Sequence, residues 1–340
     1  MNEFPPYRST HPRLSAEGLL GREGLPYFPD PNLLAAANAA LAVQMPLLLT
    51  GEAGCGKTDF AFAVASGLGK HPDAGKKTPR LLDAYVRSDS RARDLLYHYD
   101  AIRRFGDAQH GGTAGQQRAE DPRPYIRLQN LGKALLAPHL RVVLIDEIDK
   151  APRDLPNDLL RELDQGSFEI PEIPAQDDDE AARVDVDDPA TYRQQMRCPD
   201  PAKRPFVLIT SNVERQLPDP FLRRCVFFHI RFPEEGELRK IVRSRCSGSE
   251  SFLERVVDVF QALRETPTLT KKPATSELLN WVAVLRELHG EELMKGVLDR
   301  FAGGVDVRAR SRRTELQWAT LPHLGCLVKL REDLDRLGGN

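Results

Sequence analysis

A cluster of glycines followed by a lysine and a threonine has the residue types that bind phosphate. The stretch GEAGCGKT at 51–58 satisfies the pattern G-x-x-x-x-G-K-T. Glycines let successive backbone N–H groups turn towards phosphate oxygens, and the N-terminus of a following helix adds its dipole. Lys57 would reach the terminal phosphates and Thr58 would bind Mg²⁺. The residues predicted to bind the nucleotide are Gly51, Glu52, Ala53, Gly54, Cys55, Gly56, Lys57, Thr58 and Asp59.

Two carboxylates follow a second apolar run. LRVVLIDEIDK at 140–150 places four consecutive aliphatic residues before Asp146 and Glu147. We expect Asp146 to hold Mg²⁺ through water, with Thr58 as the other metal ligand. We expect Glu147 to orient and polarise the attacking water, because a carboxylate base must lie within hydrogen-bond reach of the nucleophile. Alone, the pair would more often begin a solvated loop, and the glycine stretch favours the catalytic interpretation.

Two further features follow the run FVLIT at 206–210. Asn212 follows it after Ser211, and its amide could contact the γ-phosphate or the attacking water. A lone asparagine at the end of a strand is more often a turn former. Arg223 and Arg224 then precede another apolar run. They could have a functional role or could simply be a solvated pair of arginines on a short helix.

The elements that would position these residues can be inferred from hydrophobic patterns. PLLLT at 46–50, VVLI at 142–145 and FVLIT are short apolar runs of the kind that form buried parallel strands, and an Ala-rich helical stretch follows the glycine loop. Open α/β sheets bind ligands at the carboxyl ends of their strands. From about 235 onwards, apolar residues recur every three or four positions and predict amphipathic helices. The predicted domains are an arm at 1–30, an α/β core at 31–233 with a mobile insert at about 172–205, and a helical domain at 234–340.

Composition excludes some functional classes. The 340 residues carry a formal net charge of −2, so no global field draws the chain towards nucleic acid. No run approaches the roughly 20 apolar residues of a spanning helix, and MNEFPPYRST lacks a signal-peptide core. Five scattered cysteines without C-x-x-C spacing favour a reduced, cytoplasmic compartment. Within the glycine loop, Cys55 is expected to be a small neutral filler rather than a redox switch.

The order of these motifs resembles a known family. GEAGCGKT, VVLIDEID, the ITSN strand end and PDPFLRRC resemble the Walker A, Walker B, sensor-1 and arginine-finger elements of AAA+ ATPases. PLLLTGEAGCGKT together with IDEIDKAPRDLPNDLLRELDQGSFEIPE and LPDPFLRRC is similar to the MoxR-like branch, over about residues 28–300. The resemblance implies a P-loop core with a parallel sheet, a helical lid, hydrolysis of ATP with Mg²⁺ and a homo-oligomeric ring, most commonly hexameric. It also implies that Arg224 acts on a neighbouring subunit's nucleotide, with Arg223 as a helper or interface residue.

The same resemblance leaves the biological role and one residue open. MoxR-like ATPases are chaperones that remodel or activate partner proteins, often one with a von Willebrand factor A domain. In PATSELLNWVAVL, Glu277 stands where some relatives carry a sensor-2 arginine. Four arginines in VRARSRRTE could take the place of the sensor-2 arginine, although the stretch is more typical of a solvated basic turn between helices: Arg308, Arg310, Arg312 and Arg313. Two other functions stay open. One is a nucleic-acid-directed motor that uses ATP or GTP and a separate binding subunit, and the other is a nucleotide-dependent regulatory scaffold.

Overall fold

The protein is described by a computed structural model, which defines residues 12–68, 81–175, 184–212, 214–302 and 318–338. The chain packs into two compact units. The first contains the described residues within 1–19, 29–50 and 58–229, and the second those within 20–28, 51–57 and 230–340. The domain bounds inferred from the sequence stay a prediction. In the structure, residues 20–28 and 51–57 group with the C-terminal helices.

A five-stranded sheet forms the centre of the first unit. Its strands, in the order β2-β5-β8-β1-β9 across the sheet, are β1 Leu47–Gly51, β2 Leu81–Tyr85, β5 Val142–Asp146, β8 Phe206–Ser211 and β9 Val226–Ile230. Strand β5 pairs in parallel with β2 and β8, and β8 pairs in parallel with β1. The interior strands β5, β8 and β1 are apolar along nearly their whole length because both faces of the sheet are covered. The predicted α/β fold with a parallel sheet is confirmed.

Helices and two small antiparallel sheets surround this sheet. The helices are α1 Pro31–Val43, α2 Lys57–Gly67, α3 Ala92–Leu96, α4 Ala101–His110, α5 Gly112–Glu120, α6 Asn130–Leu136, α7 Leu155–Gln165 and α8 Asp219–Leu222. The two-stranded sheets pair β3 Tyr97–Tyr99 with β4 Ile126–Leu128, and β6 Ser167–Glu169 with β7 Gln195–Arg197. Helix α1 begins at Pro31, because Asp30 accepts a hydrogen bond from the Asn32 N–H and proline fits the first turn of a helix.

The segment predicted as a mobile insert differs from that expectation in its second half. Residues 176–183 lie outside the described part of the chain. Residues 184–205, however, include β7, and the side chains of Tyr192 and Met196 are buried in the core of the first unit. Cys198 is buried as well. The polar, Pro-containing sequence does not predict these contacts, because a few buried side chains are enough to fix a segment in which most residues stay at least partly exposed.

The second unit is helical, as the three- and four-residue spacing predicts. Its helices are α9 Glu235–Arg245, α10 Glu250–Arg264, α11 Thr275–His289, α12 Glu291–Ala302 and α13 Arg331–Arg336. They pack around a core that contains the fully buried Trp281, Phe252 and Phe260. Both tryptophans of the chain, Trp281 and Trp318, lie in this core. Among all helices in the described ranges, none has the length and apolar character needed to cross a membrane.

Candidate functional site

One threonine hydroxyl of the first unit organises the carboxylates at the end of β5. Strands β5 and β8 run in parallel with Ile145 opposite Ile209, so Thr210 lies at the level of Asp146. The Thr210 hydroxyl, which is completely buried, donates a hydrogen bond to Oδ1 of Asp146. Its oxygen also accepts the backbone N–H of Glu147 at 2.9 Å. Sequence reasoning missed Thr210, although its place two residues before Asn212 on a strand was a usable signal.

Glu147 has an unusual backbone and a well-defined carboxylate. Its φ of 55° and ψ of 49° lie in the left-handed region, which costs about 1–3 kcal/mol for a non-glycine residue and is concentrated at functional sites. Asn212 Nδ2 donates to its Oε1 at 3.2 Å, and Lys150 Nζ donates to its Oε2 at 2.6 Å. The side chain is still 43% exposed. Its carboxylate is therefore oriented on both oxygens while remaining accessible to water.

Lys150 is another residue that sequence reasoning did not single out. Its hydrogen bond to Glu147 is the main reason why its pKa is raised, so the ammonium group stays charged beside the carboxylate. The signal was the spacing of three residues between Glu147 and Lys150, which brings side chains together on one helical turn.

Thr58 and Asp146 form a set of oxygen ligands suited to Mg²⁺. The Thr58 hydroxyl lies 3.3 and 3.2 Å from the two carboxylate oxygens of Asp146. Mg²⁺ prefers hard oxygen ligands and is commonly held by one or two protein groups, water and substrate phosphates. A hydroxyl and a carboxylate that converge in this way fit that requirement. Over the ranges described by the structure, no cluster of three or more histidine, cysteine or acidic side chains suggests another metal site.

The glycine loop belongs to the second unit, and its backbone requires glycine. Gly54 and Gly56 have φ values of 74° and 94°, which other residues rarely adopt. A Cβ atom on Gly54 would also lie 2.4 Å from Oγ of Ser276, and one on Gly51 would lie 2.5 Å from the carbonyl oxygen of Ile230. The backbone angles and the close contacts of the loop thus both favour glycine, and its binding of phosphate stays a prediction. Ala53 and Glu52 lie exposed on its outer side.

Lys57 is 7% exposed and is held by the loop that precedes it. Its ammonium group donates to the carbonyl oxygens of Gly51 and Glu52, both at 2.9 Å. The nearby Cys55 thiol is buried, and burial raises its pKa even though the Lys57 charge acts in the opposite direction. Cys55 is therefore a neutral thiol near pH 7, as the filler interpretation requires. Asp59 lies in the first turn of α2 and is partly buried.

An ion pair joins this loop to the end of α10. Arg264 Nη2 donates to Oε2 of Glu52 at 2.6 Å, and Nη1 donates to the carbonyl oxygen of Pro273 at 2.5 Å. The guanidinium also lies 3.5 Å above the centre of the Phe232 ring. Sequence reasoning did not identify Arg264, because a residue 212 positions from its partner leaves no local pattern.

The two predicted arginines near β9 are exposed. Arg223 caps the C-terminus of α8, and Arg224 Nε lies 3.5 Å from Asp164 Oδ2 with both side chains about half exposed. The action of Arg224 on a neighbouring subunit stays a prediction.

The position compared with a sensor-2 arginine has a structural role. Glu277 accepts the Ala274 N–H at 2.7 Å and so caps the start of α11. The alternative basic residues Arg308, Arg310, Arg312 and Arg313 lie outside the described residues.

Comparison with known proteins gives a distant likeness. No protein-family profile matches the chain, and no curated protein sequence matches it. Among solved structures, the chain is similar to the FIGL-1 AAA domain in complex with ADP, at 15% identity and a TM-score of 0.35. That comparison covers 72% of this chain and 63% of the other. The α/β fold therefore rests on the sheet, loop and helices described above.

Proposed function

We propose that this protein binds a nucleoside triphosphate with Mg²⁺ and hydrolyses its terminal phosphoanhydride. The observation that carries the proposal is the pair Asp146 and Glu147, held by Thr210 and Asn212 at the end of β5 and contacted by Thr58. Thr58 directly follows Lys57, the last residue of the glycine loop. The predicted phosphate-binding lysine and the predicted Mg²⁺ ligand Thr58 are thus neighbours in the chain.

Each residue has a role that follows from its contacts. The backbone of 51–57 and the ammonium of Lys57 bind phosphate oxygens. Thr58 and Asp146 would hold Mg²⁺, which neutralises charge on the phosphates when bound. Glu147 orients the attacking water and accepts its proton, a contribution of about 10²–10⁴ in rate. Asn212 fixes the Glu147 carboxylate through its 3.2 Å hydrogen bond.

We further propose that the chain is a MoxR-like AAA+ ATPase that uses ATP and acts as a homo-oligomeric, hexameric ring in the cytoplasm. The order of its motifs and the presence of a helical C-terminal unit support this proposal. Arg224 would stabilise the transferred phosphoryl group of the neighbouring subunit, and its half-exposed side chain is available for that contact. The work performed would be remodelling or activation of a partner protein, and a protein with a von Willebrand factor A domain is the partner to test first.

The test is phosphate release by Glu147→Gln, by Arg224→Ala and by a mixture of the two, after turnover of ATP and GTP by the wild type is measured. Each variant should be folded, bind nucleotide and be nearly inactive alone; loss of an arginine finger costs about 10³–10⁵ in rate. A mixed ring places an intact Arg224 beside an intact Glu147, so activity should return. Arg223→Ala, at the predicted helper or interface residue, should cost less than Arg224→Ala and shows which of the two arginines acts on the phosphoryl group.

Three results would contradict parts of this proposal. Full hydrolysis by Glu147→Gln would remove Glu147 from the mechanism. Exchange of subunits without recovery of activity would show that Arg224 does not act on a neighbour. Stimulation of hydrolysis by DNA or RNA and not by protein partners would replace the chaperone role with a nucleic-acid-directed motor.

A further inference from the structure

The turn that follows Glu147 contains a buried carboxylate that the hydrolytic roles above do not use. Asp149 lies in the short helical turn Ile148–Lys150 and is 3% exposed. A buried carboxylate is unfavourable unless hydrogen bonds replace its contacts with water. The partners of Asp149 therefore indicate why it is tolerated at this position.

Its partners are backbone N–H groups of the segment that follows β8. Asn212 N–H lies 3.3 and 3.2 Å from the two carboxylate oxygens, and the Glu214 N–H donates to Oδ2 at 3.0 Å. Hydrogen bonds from N–H groups to an ionised acceptor are among the stronger ones in proteins. Asp149 thus fixes the backbone at the residue whose side chain holds Glu147.

Asn212 joins the turn after β5 to the segment after β8 through both its side chain and its backbone. The Asn212 side chain donates to the Glu147 carboxylate, and Asp149 accepts the Asn212 backbone N–H. Both acids belong to the segment after β5, and Asn212 belongs to the segment after β8. A shift of Asn212 away from Asp149 would therefore move the amide that orients Glu147.

We propose that Asp149 is a positioning residue that sets the place of Asn212 and, through it, the orientation of the Glu147 carboxylate. It contacts neither substrate nor metal in this role. The kinetic consequence rests on the proposed hydrolytic function, whereas the backbone contact does not. In an active site, a displacement of about 1 Å can cost about 10²-fold in rate.

The first experiment measures the contact without any nucleotide. Hydrogen exchange at the Asn212 and Glu214 amides is compared between wild type and Asp149→Asn, with Asp149→Ala as a second variant. We expect exchange at both amides to accelerate by about tenfold or more, while amides inside β8 are unchanged. Asp154→Asn, the same change at an exposed acid five residues later, should leave all of them unchanged. Unchanged exchange at Asn212 and Glu214 in both Asp149 variants would overturn the proposal.

The second experiment is a double-mutant cycle on hydrolysis with Asp149→Asn and Asn212→Ala. Asp149→Asn should lower kcat by about 10–100-fold and leave KM nearly unchanged. The double variant should resemble Asn212→Ala alone, because the residue positioned by Asp149 is already gone. If the rate loss of the double variant equals the product of the two single losses to within about twofold, the residues act independently and the proposal is contradicted. A wild type that hydrolyses no nucleotide would refute the proposed function, and hydrogen exchange would still decide the role of Asp149.

Discussion

The Arg264 side chain should contribute far more to the free energy of unfolding of the second unit than its ion pair with Glu52 accounts for. The Arg264 side chain is 11% exposed, whereas the Glu52 side chain is 53% exposed. An ion pair with one partner in water contributes about 0–1 kcal/mol. The charged hydrogen bond to the Pro273 carbonyl contributes about 1.5–3 kcal/mol. The position above the Phe232 ring adds about 0.5–2 kcal/mol.

These values predict different results for truncation of the two partners. Because such contributions overlap, we expect Arg264→Ala to lower the free energy of unfolding by about 2–4 kcal/mol. Glu52→Ala should lower it by at most about 1 kcal/mol. Arg264→Lys should lie between wild type and Arg264→Ala, since lysine keeps the charge but lacks the planar guanidinium that stacks on Phe232.

Urea unfolding followed by tryptophan fluorescence provides the assay, because both tryptophans lie in the core of the second unit. With a denaturant dependence of about 2 kcal/mol per molar urea, the midpoint for Arg264→Ala should fall by about 1–2 M. The midpoint for Glu52→Ala should fall by at most about 0.5 M. Equal destabilisation by Arg264→Ala and Glu52→Ala would refute the reasoning, since it would make the half-exposed ion pair the dominant contribution.

Three further changes test other parts of the structure. Thr210→Val should lower the rate of phosphate release by about tenfold or more without unfolding the protein. The substitution leaves the Glu147 N–H without its hydrogen-bond acceptor, at a free-energy cost of about 1–3 kcal/mol. An unchanged initial rate would contradict this prediction. Burial raises the pKa of Cys55 and raises that of Cys225 to about 12. At pH 8 both thiols of the native protein should therefore be alkylated far more slowly than those of the denatured chain, as measured by mass spectrometry. Rapid modification of native Cys55 would instead favour a redox role. Hydrogen bonds from the backbone N–H groups of Lys271 and Thr270 lower the pKa of Asp333. The ionised carboxylate therefore stabilises the folded protein fully at pH values above its ordinary pKa of 3.8. This stabilisation is lost as the pH falls through the lowered pKa of the folded state. Asp333→Asn should therefore be less stable than wild type at pH 7, and the two should converge in strong acid; a constant difference in tryptophan-monitored stability across this range would count against the assignment.

The sequence determined the features that depend on neighbours along the chain. The glycine loop is encoded by GEAGCGKT because its backbone angles need glycine at particular positions, and the structure has φ values of 74° and 94° at Gly54 and Gly56. The apolar runs before Asp146 and Asn212 predicted buried strands, and parallel pairing then places both strand ends at one edge. The helices of the second unit followed from their periodicity in the same way.

The tertiary structure alone decided which distant groups meet. Asp149 resembles a solvated turn residue in sequence, and its burial depends on N–H groups more than sixty positions away. Arg264 is one of many arginines until the fold brings it to Glu52, Pro273 and Phe232. Local pattern fixes backbone conformation and which face is apolar, because those preferences act between residues close in the chain. The partner of a buried charge is fixed only by packing, since desolvation and hydrogen bonding depend on every group that surrounds it.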